Sequence, residues 1–250
     1  MTCSQLHKLL LSEGILFEFN SNNKKYSRIP IESRHQGLPD DQLFVAYDSK
    51  RHQIINNQLT DNWEKDVFTN GIYLMFECEQ IGHLTTNQPP YIDRIVYVGI
   101  NEKSSTPQEP DKQPKRSREY RRLFERLKNH FTSQGKNTKL RDHIEECLYA
   151  SKSNMGVTQY MQTNLRFMVI KVDDATARRN LEAKLISTIA RCEHCNRTAD
   201  WLGQYSSNKT IANGKMWNVE GVNAYLTLDE ADEQLLAGLV RNADLPQKQS

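Results

Sequence analysis

The chain has 250 residues, of which 37% are hydrophobic and 26% charged, and its formal net charge is +2 at pH 7. This composition is typical of a globular protein with a sizeable core, and it excludes a largely disordered chain. No apolar run approaches the roughly 20 residues of a membrane-spanning helix, and residues 1–14 do not resemble a secretory signal, so we expect a cytoplasmic protein. Five irregularly spaced cysteines argue against a disulfide framework.

The first 69 residues are predicted to form an N-terminal accessory lobe. Residues 5–11 have the apolar spacing of a short helix. Extended segments are expected at residues 15–19, 26–31 and 43–47. None of these segments has a pattern typical of a catalytic site.

Two strands are predicted next, on either side of a loop. The first, at residues 72–78, follows an Asn-Gly turn and places Tyr73 and Met75 on one face and its other apolar residues on the opposite face. The second is expected at residues 94–99. A polar stretch follows at residues 101–117, where three prolines exclude a helix or a central strand.

This polar stretch runs into a basic segment that contains a single acid. Its cations are Lys112, Lys115, Arg116, Arg118, Arg121 and Arg122. Such a segment can follow a nucleic-acid backbone, although a solvated loop would have the same composition.

Helices and one further strand are predicted in the rest of the chain. Apolar residues at helical spacing indicate helices at residues 118–131, 137–150 and 175–190. Residues 165–172 are apolar on both faces, as in a strand within a covered sheet. Residues 196–221 are irregular, with Trp201 and Trp217 as expected anchors.

The order strand, strand, helix, helix, strand, helix predicts an α+β core, namely a small mixed three-stranded sheet flanked by helices, at residues 70–196. A C-terminal extension is expected at residues 197–250. It includes a capping-box pattern at residues 227–230 that precedes a last helix.

Glu182 is the most informative candidate residue. Helical geometry places it on the apolar arc with Leu181 and Leu185, so it is expected to point inward. A carboxylate there costs several kcal/mol unless it is paired or binds a metal. An ion pair with an arginine and a metal site are both consistent with this position.

The helix at residues 118–131 has cationic groups at a spacing of four. Arg126 and His130 border its apolar stripe, where they could surround a phosphate or simply form a basic helix edge. Tyr73 and Tyr97 could fill a core or deliver two phenols to one pocket, because Gly71 and Gly99 leave room for close backbone approach.

Four segments resemble the motifs of the GIY-YIG nucleases. Residues 71–73 (Gly-Ile-Tyr) and 97–99 (Tyr-Val-Gly) resemble the paired tripeptides that name the family. Residues 125–131 (ERLKNHF) are similar to the arginine and histidine motif, and residues 181–186 (LEAKLI) are similar to the glutamate motif. All four occur in the family's order on the expected elements, across residues 70–196.

The resemblance implies a role for each matching residue. Tyr73 or Tyr97 would help to activate the attacking water, and Arg126 would stabilise the pentavalent phosphate. Glu182 would hold one divalent cation, Mg²⁺ or Mn²⁺, and His130 would carry a proton or bind phosphate. Because a tyrosine has an ordinary pKa of about 10, a nearby cation must lower it before the phenol can act as a base.

The chain departs from the family pattern at two supporting positions. The lysine that many members have soon after the second tripeptide is absent, and Lys103 is the nearest candidate. Asn196 is the expected substitute for the family's structural asparagine, with Asn218 as the alternative. The long insert between Gly99 and Arg126 is similar to the restriction-endonuclease branch.

Cys192, His194 and Cys195 form a pattern that could suggest zinc. A structural zinc site needs four ligands, however, and the sequence has no second Cys-x-x-Cys pair. The favoured interpretation is therefore a helix end with two buried thiols.

These observations predict a metal-dependent endonuclease that cuts DNA, with duplex DNA favoured as substrate and a homodimer expected. The insert suggests restriction of, or defence against, foreign DNA. The alternatives are a nuclease that acts on RNA and a nucleic-acid-binding module without catalysis.

Overall fold

The computed structural model describes residues 1–13, 16–20, 25–29, 70–77, 94–100, 122–132, 138–193, 195 and 200–242. The strand predicted at residues 43–47 lies outside these ranges. Among the described helices, none is long and apolar enough to cross a membrane.

Among the described residues, the strands and helices of the core follow the predicted order, with one additional helix before the last core strand. The strands are β1 (Leu16–Asn20), β2 (Lys25–Ile29), β3 (Gly71–Glu77), β4 (Arg94–Ile100) and β5 (Leu165–Lys171). The helices are α1 (Cys3–Glu13), α2 (Arg122–Phe131), α3 (Lys139–Ala150), α4 (Val157–Asn164), α5 (Ala175–Ala190), α6 (Lys209–Ala212) and α7 (Glu230–Asn242), with a 3-10 turn at Leu202–Tyr205.

The described strands form one sheet in the order β2-β1-β5-β3-β4. The predicted α+β class and the three-stranded sheet flanked by helices are confirmed by β3, β4, β5 and their helices. The sheet is not mixed, because β3 pairs antiparallel with both β4 and β5. The direction of β5 depends on the end of the sheet at which the intervening helices return the chain, and local patterns do not encode this.

The N-terminal strands extend the same sheet. Strand β1 pairs antiparallel with β5, with Phe17 opposite Phe167, and β2 pairs antiparallel with β1. Leu6 and Leu10 of α1 belong to the same buried cluster as the apolar residues of α5. The described part of residues 1–29 therefore contributes to the core, while the domain divisions at residues 69 and 196 stay predictions.

Each face of the sheet covers its own hydrophobic cluster. On one face, Ile72, Leu74 and Phe76 pack with residues of α1, α5 and α7. On the other face, Tyr73 and Met75 pack with α2, α3, α4 and the buried tryptophans. The alternation predicted for β3 is confirmed, as expected for a strand whose side chains point to opposite faces.

A C-terminal segment covers the outer edge of β4. Trp201 and Trp217, predicted as anchors, are buried with ring centroids 5.5 Å apart. The backbone N–H of Trp217 donates to the carbonyl of Val96 at 2.7 Å. This hydrogen bond satisfies a backbone carbonyl of β4, the last strand in the described sheet.

Two local predictions need correction. Helix α4 was not predicted, because its eight residues have little apolar periodicity. The capping box of α7 lies two residues further along the chain than the predicted residues 227–230. Asp229 and Asp232 each accept the other's backbone N–H at 2.9 Å. Aspartate is a strong N-cap residue, and the helix begins directly after Asp229.

Candidate active site

A β-bulge in β4 sets the direction of Tyr97. The pairing of β3 with β4 shifts between Met75 and Phe76, so that Val96 is an extra residue in β4. Tyr97 lies opposite Met75, and Gly99 lies opposite Tyr73. Directly opposite residues share a face, so both tyrosines point to the face that α2 covers. Their ring centroids are 6.0 Å apart.

Gly99 makes room for the Tyr73 ring. A Cβ atom on Gly99 would lie 2.5 Å from both Cζ and Oη of Tyr73 and 2.9 Å from Cε1 of Tyr97. Gly71 has a different role, because its Cβ would lie 2.5 Å from the carbonyl oxygen of Ile170 in β5. Gly99 thus leaves space for the Tyr73 side chain, whereas Gly71 allows the backbone of β5 to approach closely.

The hydroxyl of Tyr73 is the centre of a hydrogen-bonded group. Its Oη lies 3.0 Å from Nε2 of His130 and accepts the Nε–H of Arg126 at 3.3 Å. Tyr73 and His130 are fully buried, whereas Arg126 is exposed. Since Arg126 and His130 are four residues apart on α2, both side chains reach the same phenol from one helix face.

His130 is neutral at neutral pH. Burial, followed by the charges of Arg126 and Arg141, lowers its pKa to about 3. Its Nδ1 lies 3.2 Å from Oγ1 of Thr138, and its backbone carbonyl accepts Nη1–H of Arg141 at 2.6 Å. His130 is therefore held in place at its ring by Thr138 and at its backbone carbonyl by Arg141.

Both phenols hold their protons at neutral pH. Burial raises the pKa of Tyr73 further above its ordinary value than the Arg126 guanidinium lowers it. Burial also raises the pKa of Tyr97, which Arg126 and the Tyr73 hydroxyl oppose and the charge of Glu182 reinforces. A further cation is needed before either phenol can ionise.

Glu182 lies at the rim of this group. Its neighbours Leu181 and Leu185 are buried in the core, but Glu182 itself is only half-buried. Glu182 was expected to point inward from the apolar arc, and it is less buried than that position predicts. The negative charge of Glu182 adds to the effect of burial, which is the main cause that raises the pKa of Tyr97.

Several predicted site residues cannot be placed. The side chain of Arg122, the first residue of α2, is not described. The others lie outside the described residues, and their roles stay predictions: Lys103, Asn196, Lys112, Lys115, Arg116, Arg118 and Arg121.

Asn218, the alternative to Asn196, binds the backbone of the second tripeptide. Its Oδ1 accepts the N–H of Val98 at 3.0 Å, and its Nδ2 donates to the carbonyl of Val98 at 2.8 Å. Val98 stands between Tyr97 and Gly99, so this pair of hydrogen bonds holds the backbone that carries the tyrosine. Asn218 thus stabilises the backbone of the second tripeptide, while the role predicted for Asn196 stays a prediction.

Sequence reasoning missed two residues that position His130. Thr138 is the N-cap of α3 and accepts the backbone N–H of Arg141 at 3.3 Å. Arg141 is buried, and besides His130 it binds Oγ1 of Thr158 at 2.8 Å. A threonine directly before a helix is a recognisable N-cap signal, but the contact of Arg141 with the end of α2 has no local signature.

A second buried polar group lies at the other end of β3 and β4. Glu77 pairs with Arg94 at 3.8 Å and accepts the hydroxyl of Tyr160. The Arg94 guanidinium lies 5.3 Å from the centroid of a Trp201 ring. This group joins the sheet to α4 and the C-terminal segment, and it is separate from the tyrosine group.

Comparison with known proteins identifies a family for part of the chain. A family model described as GIY-YIG domain matches residues 116–245, slightly more than half of the chain. The match contains Arg126, His130, Glu182 and Asn218, whereas both tripeptides precede it. A search of curated proteins found no match. A search of solved structures also found none. Because the family model covers the helices that carry the arginine, histidine and glutamate, the chain belongs to the GIY-YIG domain family, a family of nucleases.

Proposed function

We propose that this chain is a metal-dependent endonuclease that hydrolyses phosphodiester bonds in DNA. Its catalytic residues would be Tyr73, Tyr97, Arg126, His130 and Glu182. The observation that carries the proposal is the Tyr73 hydroxyl, held between Nε2 of His130 and Nε of Arg126 at 3.0 and 3.3 Å. Phosphodiester hydrolysis needs a cation near the phosphate and a group that can take up a proton; in this proposal Arg126 supplies the first and His130, through Tyr73, the second.

Arg126 is the residue that would contact the scissile phosphate. Its Nε–H binds Tyr73, while the rest of the guanidinium is on an exposed side chain. Arginine has five N–H donors in a planar arrangement, so one group can bind the phenol while others face phosphoryl oxygens. Tyr73 thereby orients the guanidinium towards the charge that develops in the transition state.

The two tyrosines have different roles in this proposal. Tyr97 is half-buried, so it is the phenol that can contact the attacking water. Tyr73 is completely buried and acts by holding Arg126 and His130. The sequence left the two phenols equivalent, and their difference in exposure supports this assignment.

His130 can accept a proton from Tyr73. The neutral imidazole has one ring proton, and with that proton on Nδ1, facing Thr138, Nε2 accepts the Tyr73 O–H. This tautomer is consistent with Arg126, which donates to the same phenol oxygen. When His130 Nε2 takes up the proton of Tyr73, the Arg126 Nε–H would stabilise the negative charge left on the Tyr73 oxygen.

Glu182 is the proposed metal ligand. GIY-YIG nucleases are generally metal-dependent, and a carboxylate beside a phenol provides hard oxygen donors that suit Mg²⁺ or Mn²⁺. The bound cation would neutralise charge on the phosphate and on the leaving oxygen. Mg²⁺ usually keeps several waters, so one protein carboxylate is sufficient.

Duplex DNA is the proposed substrate. The basic segment with Arg116 and Arg118 supports contact with phosphates, since a cationic stretch binds the backbone without regard to sequence. Restriction of foreign DNA in the cytoplasm, by a homodimer of the restriction-endonuclease branch, is the proposed setting. A dimer would supply two active sites for the two strands.

The test compares cleavage by the parent protein with cleavage by Glu182→Gln and Arg126→Lys. Supercoiled plasmid, linear duplex and RNA are incubated with Mg²⁺ or Mn²⁺. We expect the parent to cut both DNA substrates and each variant to be slower by about 10²–10³-fold, because each loses charge stabilisation or phosphate geometry. Glu145→Gln, an exposed acid on α3, is the matched control and should retain parental cleavage.

Each remaining outcome selects an alternative. Cleavage of RNA alone would replace the DNA proposal with an RNA nuclease. A parent protein that binds DNA but cuts nothing with either metal would indicate the catalytically silent module, and the enzyme proposal would be wrong.

A further inference from the structure

Three thiols and an imidazole meet in the core on the face opposite the tyrosines. Cys3 and His7 come from α1, and Cys192 and Cys195 follow the end of α5. The four side chains are buried. The ligand atoms of Cys3, His7 and Cys195 all lie within 4.8 Å of one another.

The distances among Cys3, His7 and Cys195 suit ligands around one ion. Sγ of Cys3 lies 3.5 Å from Sγ of Cys195 and 3.5 Å from Nδ1 of His7. A tetrahedral centre with Zn–S of about 2.3 Å separates two sulfurs by about 3.8 Å, close to the observed value. A disulfide, in contrast, requires sulfurs about 2.05 Å apart.

Cys192 is the fourth candidate ligand. It is buried just after the end of α5, three residues before Cys195, and belongs to the same hydrophobic cluster as Cys3 and Cys195. With Cys192, the group contains three cysteines and one histidine.

The spacing of these residues is typical of metal ligands. Cys3 and His7 are four apart on α1, which places them on one helix face. Cys192 and Cys195 have the Cys-x-x-Cys spacing of structural zinc sites.

We propose that Cys3, His7, Cys192 and Cys195 bind a structural zinc ion that joins α1 to the end of α5. Thiolate ligands select zinc over Mg²⁺, which requires oxygen. Four protein ligands in a buried site leave no position for substrate, so the ion stabilises the fold. The helix held in this way is the one that carries Glu182.

The experiment measures the metal content of the full chain. The protein is purified in zinc-containing medium with a reductant and without chelator, and zinc is measured by mass spectrometry. We expect about one zinc per chain, and much less in Cys195→Ser. Cys147→Ser is the matched control, because Cys147 is also a buried thiol but belongs to the cluster on the other face of the sheet, and it should retain the zinc.

Cobalt provides a second measurement that does not depend on a destabilised variant. Replacing zinc by Co²⁺ in the parent protein should give intense thiolate-to-metal absorption with the pattern of tetrahedral coordination. His7→Cys should retain metal with four thiolates, whereas His7→Ala should bind it more weakly. Glu182→Gln should retain full zinc, which separates this site from the proposed nuclease metal.

Two results would overturn the proposal. One is a reduced, folded parent protein that contains no zinc and takes up no Co²⁺. The other is a disulfide between Cys3 and Cys195, identified by peptide mass spectrometry of the protein purified with reductant. Loss of zinc in Cys147→Ser as readily as in Cys195→Ser would also contradict the assignment of ligands.

Discussion

The sheet separates two polar groups that offer different kinds of metal ligand. On one face, Tyr73, Arg126 and His130 form a hydrogen-bonded group, and the half-buried Glu182, on a helix that packs on the other face, raises the pKa of Tyr97. On the other face, Cys3, His7 and Cys195 are enclosed among apolar side chains. Oxygen ligands at a rim suit a hard, exchangeable cation, whereas buried sulfur suits a cation that stays bound. The comparison predicts that the two groups respond independently to substitution.

The largest effect that would separate the two groups is expected for Gly99→Ala. The new Cβ would overlap Tyr73 Cζ and Oη at 2.5 Å, so the ring must leave its place beside His130 and Arg126. Overpacking of this kind costs about 1–3 kcal/mol of unfolding free energy. We also expect a loss of cleavage of about 10²-fold, measured on plasmid, because Arg126 loses its orienting partner.

The control for this substitution is Gly238→Ala. Gly238 lies in α7, and a Cβ there meets nothing within 4 Å. Alanine should leave cleavage unchanged and raise stability by roughly 0.5–1 kcal/mol, because glycine is unfavourable inside a helix. Zinc content should be unchanged in both variants. If Gly99→Ala lost zinc as well as cleavage, the two faces would not be independent.

A smaller effect, on the unfolding free energy, is expected when the pH is lowered. The pKa of His130 is about 3 in the folded protein and 6.5 ordinarily, so the unfolded chain binds the extra proton. The stability that depends on neutral His130 is present above pH 6.5 and is lost as the pH falls towards 3. Between pH 7 and pH 5 the loss should be about 2 kcal/mol.

His130→Asn isolates this contribution in denaturant unfolding. Protonation of the cysteine and histidine cluster on the other face affects the parent and the variant alike, so it cancels in the difference. We expect the unfolding free energy of the parent to fall more steeply with acid than that of the variant. Parallel curves over this pH range would show that His130 is not the buried titrating group.

The smallest effect is expected at the surface pair of Lys139 and Glu220, whose atoms lie 2.8 Å apart. Both side chains are more than four-fifths exposed. Water and side-chain entropy offset the attraction between such groups. Lys139→Ala should therefore leave the Tm and the zinc content unchanged within error. A clear decrease in Tm would show that this pair contributes more than an ordinary surface ion pair.

Local patterns predicted much of the core. The alternation of β3 placed Tyr73 and Met75 on one face, as observed. The predicted helix at residues 175–190 coincides with α5. These predictions succeeded because side-chain periodicity along one element reflects the face that it buries. The motifs at Arg126 and Glu182 lie within the match to the GIY-YIG domain family.

Other features depended on contacts that no single segment encodes. The bulge at Val96 directs Tyr97, but the tripeptide itself does not reveal an extra residue. Arg141 binds the carbonyl of His130, although a buried arginine on α3 has no distinctive spacing. The pairing of β1 with β5 also joins distant parts of the chain. Register and strand direction are decided by such long-range contacts.

The cysteines show most clearly which features the sequence determined and which depended on the tertiary structure. The sequence by itself determined that Cys192 and Cys195 close a helix end, and it offered too few ligands for zinc. Only the tertiary structure brought Cys3, 192 residues from Cys195 along the chain, to within 3.5 Å of it. The spacing of neighbours along a helix is set by local geometry, whereas the meeting of two helix ends is set by the packing of α1 and α5 into one core.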